Sequence, residues 1–228
     1  MIIFYGIKHI DHFELSASDS THAVRVLRKS DGDQVHVTDG NGSLYKGELS
    51  VLSKKNVQVV SLTELSKSEQ RHKRSIAIAP TKNNDRFEWF LEKATEIGIT
   101  DIYPFVGKHS ERKVIKEERL EKILVSAMKQ SKNFYKPTLH PLVPFKSFVS
   151  SSDLPSKKYI AHCMEPDRHL NELYTSGSDA VVLIGPEGDF ADEEVKLAKS
   201  EGWSDVSLGN SRLRTETAGI IACHLLNL

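Results

Sequence analysis

The chain has 228 residues, 39% hydrophobic and 27% charged, with 31 basic side chains against 31 acidic ones. These values suit one large folded domain or two modest ones and exclude a disordered chain. The cancelled charge excludes a protein that coats any polyanion, so an RNA partner implies selective docking by a local basic face.

Taken in chain order, the first element is a short helix with Ser20 as its cap and Ala23, Val26 and Leu27 on one face. Gln34–Thr38 alternates apolar and polar residues, and Asp39-Gly40-Asn41-Gly42 supplies turn chemistry. Residues 44–52 and 57–62 follow as further strands, giving a small barrel or sandwich. The stretch 66–74 holds no apolar residue, which places a domain junction there and divides 1–70 from 71–228. Its basic end reads equally as an RNA contact or as a solvated linker.

Beyond the junction, strands and helices alternate. Residues 75–79 form a strand, and Asp85 caps a helix with Phe87, Phe90, Leu91 and Ala94 as its apolar stripe and Gly98 as its terminator. Residues 99–106 are extended, and a helix over 116–131 buries Leu120, Ile123, Leu124 and Ala127. Residues 159–162, 181–184 and 206–208 read as strands, with helices over Asp192–Ser200 and Thr215–Leu226. This order predicts an α/β domain built on a mainly parallel sheet.

Two late segments carry chemistry. After the buried strand Ala180-Val181-Val182-Leu183-Ile184 comes Gly185-Pro186-Glu187-Gly188-Asp189-Phe190, a turn of fixed shape whose backbone approaches a ligand closely. A second turn, Gly209-Asn210-Ser211-Arg212-Leu213-Arg214, leads to Thr215-Glu216-Thr217-Ala218-Gly219, with Thr215 as helix cap. Ligands of open α/β sheets sit at the carboxyl ends of strands, so the two turns can wall one cleft. Taken singly, each is also an ordinary strand-to-helix turn. Arg214 and Glu216 are the polar groups nearest that cleft, or else a surface ion pair.

Other signatures are missing. Pro80-Thr81-Lys82-Asn83-Asn84 lacks dinucleotide-binding glycines, and there is no phosphate-loop lysine, nucleophile elbow or His-Glu-x-x-His. His9 and His12 are a lone pair rather than a metal site, and no metal is expected. No apolar run approaches the roughly 20 residues of a bilayer span. The opening Met-Ile-Ile-Phe-Tyr-Gly lacks the features of a signal peptide. Cys163 and Cys223 have no metal-type spacing and read as buried small hydrophobes of a cytoplasmic protein.

Gly185-Pro186-Glu187-Gly188, Leu208-Gly209 and Leu213-Arg214-Thr215-Glu216-Thr217-Ala218 resemble the motifs of the RsmE family, bacterial small-subunit ribosomal RNA (uracil-N3)-methyltransferases of the SPOUT superfamily. The likeness runs along nearly the whole chain. It includes His22-Ala23-Val24-Arg25-Val26-Leu27-Arg28 with Gly32-Asp33, then Lys82, Glu88-Trp89 and Lys93-Ala94-Thr95-Glu96-Ile97-Gly98. Ser110-Glu111-Arg112 and Gln130-Ser131 complete it. The chain departs from the family at Asp189, where glycine is usually repeated, and at Asn210-Ser211-Arg212, which replaces a more usual Pro-Arg-Ile. Lys129 and Asn133 stand where Glu and Arg are common.

The resemblance implies a PUA-like RNA-binding β-barrel over 1–70 and a SPOUT methyltransferase domain with a trefoil knot over 71–228. It also implies a homodimer acting on 16S rRNA of the small ribosomal subunit with S-adenosyl-L-methionine as cofactor. The cofactor bed then comprises Leu183, Ile184, Gly185, Glu187, Gly188, Leu208, Gly209, Leu213 and Thr215. Arg214 is the first candidate for stabilising charge on the target uracil or for a phosphate contact, and Glu216 for a base or an arginine orienter. Arg25, Arg28, Lys29 and Arg112 are the RNA-binding candidates, with solvated surface charge as the plain alternative. Two rivals stay open: a catalytically silent RNA-binding or ribosome-assembly factor, and an α/β enzyme acting on a small nucleotide.

Overall fold

A computed structural model describes residues 2–68, 72–164 and 168–228. The chain divides into two units, Met1–Gln70 with Met128–Lys136, and Arg71–Ala127 with Pro137–Leu228. The junction expected within 66–74 falls partly on Glu69, Gln70 and Arg71, which lie outside the described residues.

In the first unit, β1 (Ile3–Lys8), β2 (Phe13–Leu15), β3 (Gln34–Thr38), β4 (Ser43–Ser53) and β5 (Asn56–Lys67) close into a barrel. Its order is β1-β2-β5-β4-β3, with β1 and β3 parallel and every other pair antiparallel. Alternate residues point inward, so Phe4, Phe13, Val35, Val37, Leu49, Val57 and Val59 fill the interior. Ser16, and not Ser20, caps the short helix α1 (Ala17–Thr21), its hydroxyl accepting from the Asp19 amide at 3.1 Å. Ser20 is buried in that helix and donates to the Leu15 carbonyl. The chain then widens into a π-helical turn, His22–Val26, closed by Leu27 N–H on His22 O at 2.9 Å. The wider turn breaks the 3.6-residue period, which is why Val26 is 66% exposed while Ala23 is buried.

The segment Met128–Lys136 completes this unit. Gly42 N–H donates to Phe134 O at 2.8 Å and Lys136 N–H to Gly40 O at 2.9 Å. Lys129 pairs with the buried Asp19 carboxylate at 2.7 Å, which accounts for a lysine at this place. At Gly42, with φ +93°, a Cβ would stand 2.4 Å from the Tyr135 ring, so only glycine fits.

The second unit carries β6 (Arg74–Ile78), α2 (Asn84–Ile97), β7 (Asp101–Val106), α3 (Glu117–Ser131, of which the part from Met128 belongs to the first unit), β8 (Thr138–Leu139), β9 (Val143–Pro144) and α4 (Phe145–Val149). It continues through β10 (Lys157–Ala161), α5 (Leu170–Leu173), β11 (Ala180–Ile184), α6 (Asp192–Ser200), β12 (Ser204–Val206) and α7 (Thr215–Leu226). The sheet order is β12-β10-β11-β6-β7-β8, with β9 also on β7, and every pairing is parallel. Helices cover both faces, so the central strands are apolar throughout. Val182 and Ile184 join Ile76, Ile78 and the apolar faces of α2 and α7. Val181 and Leu183 join Phe105, Phe145, Phe148, Phe190 and Trp203 on the other side.

Two local expectations change. Asn83 caps α2 through its side chain, which accepts from the Asp85 amide at 2.8 Å, and Asp85 lies inside the first turn. The last strand ends at Val206 and not at Leu208, because Ser207 leaves the ladder to bridge His169.

Candidate functional site

Chain order doubles back across β11, since β6 runs outward to β7 while β10 and β12 lie on its far side. The carboxyl ends of β10, β11 and β12 therefore surround a crevice, the position where open α/β sheets bind ligands. Its volume is about 950 Å³. Three loops wall it: Ala161-His162-Cys163 after β10, the Gly185 turn after β11, and residues 207–214 after β12. Ile184, Val206, Leu208, Leu213 and Ala218 give it apolar lining. The two glycine turns are tied directly, for Thr215 Oγ1 donates to the buried Gly185 carbonyl at 3.0 Å.

Ile184, Gly185, Glu187, Leu208, Gly209, Leu213, Arg214 and Thr215 all line this cleft. Two residues of the expected cofactor bed do not. Leu183 has the opposite strand parity to Ile184 and is buried among the phenylalanines of the far face. Gly188 is backed by His109: its carbonyl accepts from His109 Nδ1 at 3.1 Å, and a Cβ there would meet the His109 Cβ at 3.0 Å. A bulky residue at Gly188 thus meets His109 first. Thr215 is the first helical residue of α7, and Arg214 takes the cap position with φ −71° and ψ 155°.

Glu216 does not reach the cleft. It is 7% exposed, and its Oε1 lies 3.7 Å from Nε of Arg86 on α2. Its Oε2 is buried with no hydrogen-bond partner among the described residues. The arginine it faces is therefore Arg86 and not Arg214.

Glu187 ties two loops, its Oε1 accepting from the Lys82 amide at 2.9 Å. Arg112 braces the same segment, donating from Nε to Thr81 O at 2.9 Å and from Nη2 to Lys82 O. Lys82 Nζ in turn pairs with Glu111 at 2.7 Å. The Arg112 guanidinium, a candidate for an RNA contact, thus holds the loop between β6 and α2 through two of its donors. On the barrel, Arg25 and Arg28 are exposed, and Lys29 lies 3.8 Å from Asp33.

Sequence reasoning missed His162, Cys163, Asp189 and Arg212, all of which line the cleft. The signal was present, since Ala161-His162-Cys163 also ends a strand. His162 Nδ1 accepts from the Met164 amide at 3.1 Å, which places the ring proton on Nε2. Burial pushes this imidazole below its ordinary value and keeps it neutral.

Cys163 is exposed, whereas only Cys223 is the buried hydrophobe expected of both. Burial and then the Asp189 carboxylate push the Cys163 thiol above its ordinary value, against a smaller pull from Arg212. Alkylation of Cys163 should keep accelerating above pH ~8.5, the ordinary thiol value. A ligand in the cleft should protect it while Cys223 stays unmodified, and mass spectrometry after N-ethylmaleimide treatment measures both. Equal labelling with and without the cofactor would separate Cys163 from the bound ligand.

Among the described residues, no three His, Cys, Asp or Glu side chains cluster as metal ligands, and no helix is long and apolar enough to cross a membrane.

Comparison with known proteins places the chain. The RNA methyltransferase domain matches residues 68–227, and the RNA methyltransferase PUA domain matches residues 15–60. Ribosomal RNA small subunit methyltransferase E of Rickettsia conorii is 26% identical over 216 residues, spanning 92% of this chain and 86% of that protein. A solved structure from Porphyromonas gingivalis, named "probable rRNA-methyltransferase", has a TM-score of 0.86 at 39% identity, covering 100% of this chain and 98% of its own. The Neisseria gonorrhoeae Ribosomal RNA small subunit methyltransferase E, solved bound to S-adenosyl methionine, has a TM-score of 0.84 at 25% identity, with 98% and 95% covered. The chain belongs to the RNA methyltransferase domain family and, within it, to the RsmE family.

Proposed function

We propose that this protein uses S-adenosyl-L-methionine to methylate N3 of one uridine in bacterial 16S rRNA of the small ribosomal subunit. The observation that carries the reading is the pair of glycine turns closed on each other by Thr215 and Gly185 at the mouth of three parallel strands. The cleft fits the cofactor in kind: about 950 Å³, lined by the apolar Ile184, Val206, Leu208, Leu213 and Ala218 together with residues of both turns. That volume lies in the roughly 300–1,000 Å³ range of small-molecule sites.

When bound, the cofactor supplies an electrophilic methyl group, so the chain's tasks are orientation and charge control. Ile184, Leu208, Leu213 and Ala218 exclude water from the apolar part of the ligand. Uracil N3 becomes nucleophilic once its weakly acidic proton passes to solvent water at the cleft, and the resulting charge spreads to the flanking carbonyl oxygens. Arg214, at the cleft and at the positive end of α7, stabilises that charge. Glu216, turned toward Arg86, is not the group that takes the proton. N3 lies on the pairing edge, so the target base is unpaired or flipped out.

Arg25 and Arg28 supply exposed positive charge to the rRNA from the barrel. Membership of the RsmE family supports the rest of the reading: a cytoplasmic homodimer whose second unit is threaded as a trefoil knot.

Incubating the protein with labelled cofactor and small subunits from a strain lacking this gene tests the function. Label is expected in a single 3-methyluridine of the rRNA. Cofactor binding without labelled RNA would leave a silent RNA-binding factor, and label in a free nucleotide would point to a small-molecule enzyme.

A further inference from the structure

Asp189 holds a left-handed backbone, φ +63°, a region that most L side chains avoid and that aspartate enters with the help of local hydrogen bonds. Those bonds are explicit. Its amide donates to Pro186 O at 2.9 Å, and its carbonyl accepts from His109 Nδ1 at 3.1 Å. One carboxylate oxygen accepts from its neighbour's amide, Phe190 N–H, at 2.8 Å. The other accepts from Cys163 N–H at 2.9 Å, in the loop that follows β10. Cys163 and Asp189 are 26 residues apart, and both line the cleft. No basic side chain among the described residues forms an ion pair with this carboxylate.

We propose that Asp189 is a positioning residue that fixes the width of the cleft by tying the β10 wall to the β11 turn before any ligand arrives. The proposal rests on the cofactor reading above and adds to it. The Thr215–Gly185 bond joins the β11 turn to the first residue of α7, where the β12 loop ends. The Asp189–Cys163 bond joins β11 to β10, so the three walls are held as one frame. A wall ordered in advance loses less freedom on binding, which appears as affinity. A carboxylate accepting from a backbone amide is also stronger than a neutral acceptor in its place.

Asp189→Gly and Asp189→Asn test this. Glycine enters the left-handed region without strain, so the first variant removes the tie while relieving the backbone. Asparagine tolerates that region and keeps one acceptor oxygen, but carries no charge. By calorimetry, Asp189→Gly should raise the cofactor Kd on the order of tenfold. Asp189→Asn should recover most of that loss. In turnover, the effect of the glycine variant should fall on the cofactor KM more than on kcat.

The second readout needs no cofactor. Removing the charge quickens Cys163 alkylation equally in both variants, whereas loosening the wall quickens it further only in Asp189→Gly. A melting temperature at or above wild type for Asp189→Gly shows that the variant folds. Asparagine behaving like glycine in both measurements would overturn the proposal, as would glycine behaving like wild type. Failure of the wild-type protein to bind the cofactor at all would instead sink the functional reading on which it rests.

Discussion

Replacing Arg214 with alanine should lower kcat/KM for rRNA methylation by about two to three orders of magnitude, the scale seen when one donor to developing negative charge is removed, roughly 2.7–4 kcal/mol. Arg214 sits at the cap of α7 with its side chain exposed at the cleft, and no carboxylate among the described residues pairs with it. Its charge is therefore free for the substrate. The unpaired amides of the first turn of α7 add to the positive field at the same point. Lysine should recover part of the loss, because an ammonium also donates to one flanking carbonyl oxygen while leaving N3 open, though without the guanidinium's planar geometry. Cofactor binding, carried by backbone and apolar groups, should move far less than the rate. Single-turnover methylation of under-methylated small subunits, alongside cofactor calorimetry, separates the two. A rate loss under tenfold would return Arg214 to the solvated surface.

Residues whose environment repeats along the chain were legible. The run Ala180-Val181-Val182-Leu183-Ile184 reads as a strand covered on both faces, and it is one, because a central parallel strand has no polar side. The bounds of α6 and α7 also match expectation, since periodicity and terminal residues agree there. Elements below the reading window were lost. Two-residue strands such as β8 and β9, and helices of four or five residues such as α4 and α5, are set by tertiary pairing rather than propensity.

The site was legible as loops but not as side-chain directions. Along β11 the sequence does not say whether Leu183 or Ile184 faces the cleft, because both faces are apolar. His109 behind Gly188, and Cys163 beside Asp189, are pairings across 79 and 26 residues that no local pattern announces. The direction of Glu216 could have been read. It lies three residues before Gly219 on α7, and Arg86 lies four before Phe90 on α2, so all four share one helix–helix seam.

That seam sets the last prediction: Gly219→Val should lower the melting temperature by roughly 6–12 °C. A Cβ at Gly219 would stand 2.6 Å and 2.8 Å from two ring carbons of Phe90 and 3.2 Å from the Ile78 methyl. Phe90 and Ile78 are themselves fully buried, so neither can withdraw without opening the core. Overpacking of this kind costs about 1–3 kcal/mol, and the branched side chain takes it to the upper end. A domain of this size loses about 2–4 °C for each kcal/mol. Alanine should cost less, because a gain of about 1 kcal/mol in helix propensity offsets part of the strain. If α7 is pushed off α2, Arg214 and Thr215 at its start move too, so cofactor affinity should fall together with stability. Truncating the obstructing ring distinguishes this local clash from a general loss of helix. Phe90→Leu alone should destabilise, yet combined with Gly219→Val it should cost less than the sum of the two, since leucine vacates the space that the valine needs. Strict additivity in scanning calorimetry would show that the Phe90 ring is not what confines Gly219, and the close α2–α7 approach would lose its role in placing the cleft.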